Sequence, residues 1–191
     1  AGAVAAGALG VGPLRILFGQ GLPAVTVPDS PLGARLALGR RIDATDAQAA
    51  GVPILVPQAL AQPDEVYLSE LGIVSLVYEA DGHLRPLGQS GIGLLVMAIP
   101  GDLDPELVSK IVVESRAAVE PVTVRGRAGY WVSGAPHVLR YVIPGEGQGM
   151  VTSRLVGDAL VWQEAGAVFR IESALGRDAT IRLADSLAPL R

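Results

Sequence analysis

Short runs of alternating apolar and polar positions, broken by glycine turns, fill the chain from Gly129 onward. In order they read GYWVSG, HVLRYVI, MVTSRLV, ALVWQE and AVFRIES, with PGEGQG, GD and AG among the breaks and RDATIRLADSLAPL at the end. A period of two with turn residues at the breaks predicts a meandering antiparallel sheet. The closing segment reads as one helix laid on it.

The same reading extends upstream. GIVSLVYE, Gly72 to Glu79, puts Ile73, Ser75 and Val77 on one face and Val74, Leu76 and Tyr78 on the other. Both faces are mostly apolar, which predicts a central strand. Asp81–Gly82 is a hairpin signal, and GIGLLVMAI (Gly91 to Ile99) reads as another buried strand. VPILVP, Val52 to Pro57, is an apolar strand bracketed by prolines, placed at an edge or with few ladder bonds. Asp43 is the expected N-cap of a helix of about two turns, with Asp46 suited to the helix dipole and Gly51 and Pro53 as stop. Asp104, with Pro105 and Glu106 behind it, is expected to open another helix. From Glu120 the sheet resumes, and Gly126 opens a turn. The sum is an α+β domain, an antiparallel meandering sheet with two or three helices packed on it.

Composition narrows the class. With 191 residues the chain suits one domain or one domain plus an appendage. Of the 15 basic residues only Lys110 is lysine, and the arginines are scattered. That scatter and a net charge of −4 argue against a nucleic-acid footprint. There is no cysteine, which removes thiolate chemistry and cysteine-held metals. Charged residues are only 18% and mean hydropathy is +0.42, yet aromatics are just 4%. The chain is apolar but lightly built.

Residues 1–14 carry no charge, and Arg15 is the first. Fourteen residues are fewer than the ~20 that cross a bilayer. The stretch is either the outer end of a transmembrane helix or an Ala/Gly leader. Pro28, Pro31 and Gly33 then mark a linker, so residues 1–35 are expected to form an apolar leader and linker and 36–191 the domain.

The candidate chemistry is sparse. His83 and His137 lie far apart and carry no metal-ligand spacing. Gly88-Gln-Ser90-Gly91-Ile92 resembles a nucleophile elbow until Ile92, where the motif needs glycine. Gly145-Glu-Gly147-Gln-Gly149 joins two strands, whereas a phosphate-binding loop opens a helix. Asp102, Asp104 and Glu106 lack the spacing of a calcium loop. Glu164 and Glu172 flank a turn and are expected to face solvent. No catalytic residue, metal or cofactor is expected. The only candidate ligand- or partner-binding residues are Trp131, Tyr141 and Trp162, aromatics on neighbouring strands. They either pack across the sheet or line a groove for a peptide or apolar ligand.

The order GYWVSGAPHVL, TSRLVGDALVWQEAGAVFRIES and a helix ending ADSL resembles an uncharacterised family of extracytoplasmic domains. These lie C-terminal to a single transmembrane helix in actinobacterial and related membrane proteins, and are often labelled anti-sigma-factor-like. LALGRRIDATDAQAAGVPILVPQALAQPDEVYL followed by VSLVYE is similar to the first part of the same ectodomain. The resemblance covers roughly Leu36 to Leu187. It implies a membrane-proximal leader and a domain outside the cytoplasmic membrane, anchored through an N-terminal helix of the parent protein, with no enzymatic activity. The expected function is therefore a non-catalytic sensor or interaction domain whose partner is a protein or an apolar ligand. The alternative is a curved-sheet carrier module for a lipid or other apolar ligand.

Overall fold

A computed structural model describes residues 14–17, 31–101, 117–134, 137–141, 150–156 and 158–190. The helix expected at Asp104, the acids around it, residues 1–13 and the PGEGQG segment lie outside the described residues.

The body is one eight-stranded antiparallel sheet. Its first half comprises β2 (Arg40–Ile42), β4 (Glu65–Leu68), β5 (Val74–Glu79) and β6 (Ile92–Pro100). Its second half comprises β7 (Ala117–Val124), β8 (Arg127–Gly134), β11 (Ala159–Glu164) and β12 (Ala167–Ser173). The order across the sheet is β2-β4-β5-β6-β12-β11-β8-β7. Each half starts at an outer edge and works inward, and the last strands of the two halves pair along the middle, with Val168 opposite Ile99 and Arg170 opposite Met97.

Two tight turns explain the second half. Arg125–Gly126 joins β7 to β8 and Ala165–Gly166 joins β11 to β12, all four at positive φ (51°, 73°, 51° and 76°). Positive φ at both central residues marks the turn whose twist matches a right-handed strand pair. The connection from β5 to β6 is looser than the Asp81–Gly82 signal predicts. It occupies residues 80–91, and Asp81 Oδ1 accepts from the His83 and Leu84 amides at 2.7 Å each. Leu84 is thereby held in the core, 5% exposed.

The structure is mainly β with minor helix, a correction to the expected α+β balance. Among the described residues there are two α-helices, α1 (Ala44–Gln48) and α2 (Arg177–Asp185). Asp43 caps α1 through its carboxylate, 2.8 Å from the Asp46 amide, as expected from sequence. The tail of the predicted last helix instead leaves α2 and becomes β13 (Leu187–Pro189), paired with β3 (Leu55–Pro57). Pro189 cannot continue a helix, and β3, bracketed by prolines, has few ladder bonds to give.

The last third is also not one meander. β9 (His137–Tyr141) and β10 (Met150–Val156) leave the main sheet and form a second one with β1 (Leu14–Leu17). β1 lies in the stretch read from sequence as leader, and it pairs antiparallel with β9.

Both faces of the main sheet are mostly apolar. One carries Leu76, Val96, Trp131, Leu160, Trp162, Phe169 and Ile171 under Ala47 of α1, Ala184 of α2 and the β3–β13 pair. The other carries Tyr67, Val77, Leu95, Met97, Ile99, Val161 and Val168, with Leu38 against them. β5 behaves as its alternation predicts: Ile73 and Val77 go to one face, Val74, Leu76 and Tyr78 to the other.

Candidate functional site

The two tryptophans singled out by sequence lie in the core rather than along an open groove. Trp162 is fully buried and stacks on Phe169 of β12, ring centroids 5.2 Å apart and planes 17° from parallel. Trp131 is 4% exposed on the same face, opposite Leu160. Gly129 sits opposite Trp162; a Cβ there would lie 2.9 Å from the Val161 carbonyl oxygen and 3.0 Å from Trp162 Cβ. Its bare backbone makes room for the indole. Tyr141 belongs to β9 in the other sheet, and its side chain lies outside the described residues.

The strongest polar constellation is one that sequence reading missed. The turn after β7 projects Arg125 toward the end of α2. Its Nε donates to Glu164 Oε2 at 2.7 Å and its Nη1 to the Leu187 carbonyl at 2.7 Å, while its amide donates to Asp185 Oδ1 at 2.7 Å. Trp162 Nε1 adds a fourth bond, to Glu164 Oε2 at 3.3 Å. Burial pushes the Glu164 carboxyl up, but the hydrogen bonds from Arg125 and Trp162 and the charges of Arg125 and Arg127 outweigh it, so its pKa is lowered. The group is a clasp joining β7, β11 and the C-terminus of α2. No sequence spacing announces it, because its members are far apart along the chain.

Glu172 also departs from expectation. It is 1% exposed and pairs with the fully buried Arg170 two residues before it on β12. Glu164 and Glu172 are therefore tied to different arginines and form no catalytic carboxylate pair. Ser90 is equally committed: its hydroxyl donates to the Leu87 carbonyl at 2.7 Å and accepts from the Ile92 amide at 3.1 Å. His83 is exposed on its turn, and His137 lies on β9. Among the described residues no three histidines or acids converge to hold a metal ion.

A recess of about 490 Å³ lies where β2 ends and β4 begins. Ile42, Val66 and Leu190 give it apolar walls; Arg41, Asp43 and Asp64 give it polar ones. Arg41 donates to the Asp64 carbonyl at 3.1 Å and stands 4.0 Å from Glu65 Oε1. Glu65, 7% exposed, accepts from the Leu32 and Gly33 amides and from the Tyr67 hydroxyl at 3.2, 2.8 and 2.8 Å. Burial and then that hydrogen bond and the Glu65 charge push the Tyr67 phenol up to about 12. Asp64 Oδ2 is held by the Glu79 amide at 2.8 Å. This arrangement can hold a small molecule or a partner's side chain; it offers no nucleophile poised beside a base.

Comparison with protein-family models, with curated proteins and with solved structures finds no match.

Proposed function

We propose that this chain is a non-catalytic extracytoplasmic sensor or interaction domain of a single-pass bacterial membrane protein, regulatory in the anti-sigma-factor-like manner. The observation that carries the non-catalytic part is how the polar side chains are used. Ser90, Glu164, Glu172, Asp81 and Asp43 each hold a turn, a helix end or an ion pair of their own fold. Redirecting a side chain bound in this way toward a substrate gives up part of a native contact, at a cost of about 0.5–3 kcal/mol. The location and the membrane anchor rest on the resemblance in sequence.

The test is made on the full-length protein in its own cell type, tagged at its C-terminus. External protease added to intact spheroplasts is expected to destroy the tag, and the untreated protein is expected in the membrane fraction. A tag protected in intact spheroplasts and recovered in the cytosol overturns the proposal. So does turnover of an ester, glycoside or peptide substrate that one substitution abolishes while the fold is kept.

A second reading, an apolar-ligand carrier, draws support from the sheet being apolar on both faces. Native mass spectrometry separates the two: a carrier comes through purification with lipid mass attached, and a sensor domain of solid core flies at its bare mass.

A further inference from the structure

We infer that Pro121 guards the β7 edge of the main sheet, and that without it two copies of this chain would join edge to edge through β7. A sheet's end strands present unpaired amides and carbonyls to solvent, a template for another strand. The two ends of this sheet are protected differently. β2 is three residues long and carries Arg40 and Arg41, both exposed. β7 has eight residues and, among the described residues, β8 as its only strand neighbour. Its exposed side chains are mostly uncharged (Ala118, Pro121, Thr123), and its one acid, Glu120, lies 3.3 Å from Arg177. Brevity and charge guard β2; neither guards β7.

The register shows where Pro121 acts. In a two-residue hairpin the residues flanking the turn exchange both backbone hydrogen bonds, and bonded and non-bonded pairs then alternate along the ladder. The flanking pair here is Val124 and Arg127, so Val122–Gly129 and Glu120–Trp131 are bonded pairs. Thr123, Pro121, Val119 and Ala117 are left with their backbone groups directed away from β8. Pro121, which has no N–H, thus occupies the outer row, where it breaks no bond of its own sheet and removes the central donor of the free edge. Pro121 is exposed, and among the described residues no strand pairs with this edge.

The partner this edge fits is its own copy. Two β7 strands related by a two-fold axis through residue 121 place residue 119 of one opposite residue 123 of the other, and residue 121 opposite itself. In that register the central pair supplies a proline from both sides, so neither of its two bonds forms and the rings collide. With any other residue at 121 the row is complete. Such an isologous contact closes at two copies, because it consumes the same edge on each.

The test compares the wild-type chain with Pro121→Thr and Pro121→Ala by sedimentation velocity across a wide concentration range, with circular dichroism to establish folding. Wild type is expected at its own mass of 19.7 kDa throughout. The variants are expected to shift toward twice that mass as concentration rises. Adding Thr123→Pro, which puts proline at another outward position, is expected to return Pro121→Thr to single mass. The inference is overturned if a folded variant keeps wild-type mass, if the wild type doubles over the same range, or if the doubled species survives Thr123→Pro. Threonine suits a strand and alanine makes no demand on one, so the pair guards against a single variant that fails to fold.

Discussion

Replacing Arg125 by alanine removes the clasp that fastens the β7–β8 turn to β11 and the end of α2. The lost bonds are Nε to Glu164 and Nη1 to the Leu187 carbonyl, each 2.7 Å, at side chains only 21% and 18% exposed for the ion pair. Hydrogen bonds to charged groups contribute about 1.5–3 kcal/mol, and the loss leaves a largely buried carboxylate with Trp162 as its remaining side-chain donor. We expect Arg125→Ala to cost about 2–3 kcal/mol at pH 7. Arg125→Gly loses the same bonds but relieves the left-handed backbone at φ 51°. It should therefore be about 0.5–1 kcal/mol more stable than the alanine variant. Urea unfolding followed by tryptophan emission reads this, since both tryptophans are buried in the native state. The pH dependence gives a second check. Arg125 holds the folded Glu164 carboxyl below its ordinary value, so the stabilisation is present above the unfolded value of about 4.3. It is lost as pH falls through the lowered folded value, and the gap between wild type and Arg125→Ala should shrink there. An alanine variant within 0.5 kcal/mol of wild type, a glycine variant less stable than alanine, or a gap that persists at acid pH would refute the clasp (roughly the error of such fits).

Gly33→Ala should destabilise by about 1–3 kcal/mol, because a Cβ there would stand 2.1 Å from the buried Tyr67 ring; an unchanged urea midpoint would contradict this. Glu65→Gln should bring the Tyr67 phenol down from about 12, read by absorbance titration, and weaken the fold by leaving the Leu32–Gly33 turn with a poorer acceptor. Trp162→Ala empties a site with no exposed surface and should cost about 3–5 kcal/mol in calorimetry. The buried hydroxyls of Ser173 and Thr180 lie 2.7 Å apart, so Ser173→Ala alone should cost about 1–3 kcal/mol. Adding Thr180→Val should not add the full second penalty in a double-mutant cycle.

Local rules carried much of this fold. The alternation in GIVSLVYE assigned each β5 side chain to its face, and Asp43 caps α1 as its residue type predicts. The Arg125–Gly126 and Ala165–Gly166 breaks became tight turns. What the sequence concealed is nonlocal. Period two marks HVLRYVI and MVTSRLV as strands but cannot say which sheet receives them, and β9 and β10 joined β1 instead. Alternation also suggested that Glu172 faces water, since a polar face is normally a wet one. Here both faces are covered, so the acid is buried with Arg170 beside it. The Trp131 and Trp162 pattern fitted packing and binding equally well, and only the layer of α2 and β13 above that face places both rings inside the core.

The seam between β6 and β12 bears on how the chain reaches this state. β6 is nine residues without a charge, IGLLVMAIP; β5 pairs with one of its edges, but the partner of the other, β12, is not made until residues 167–173 have left the ribosome. Until then the first half ends in a strand with one long open edge, of the kind that recruits other nascent chains. Chaperone demand, and losses to inclusion bodies during expression, should concentrate in that interval.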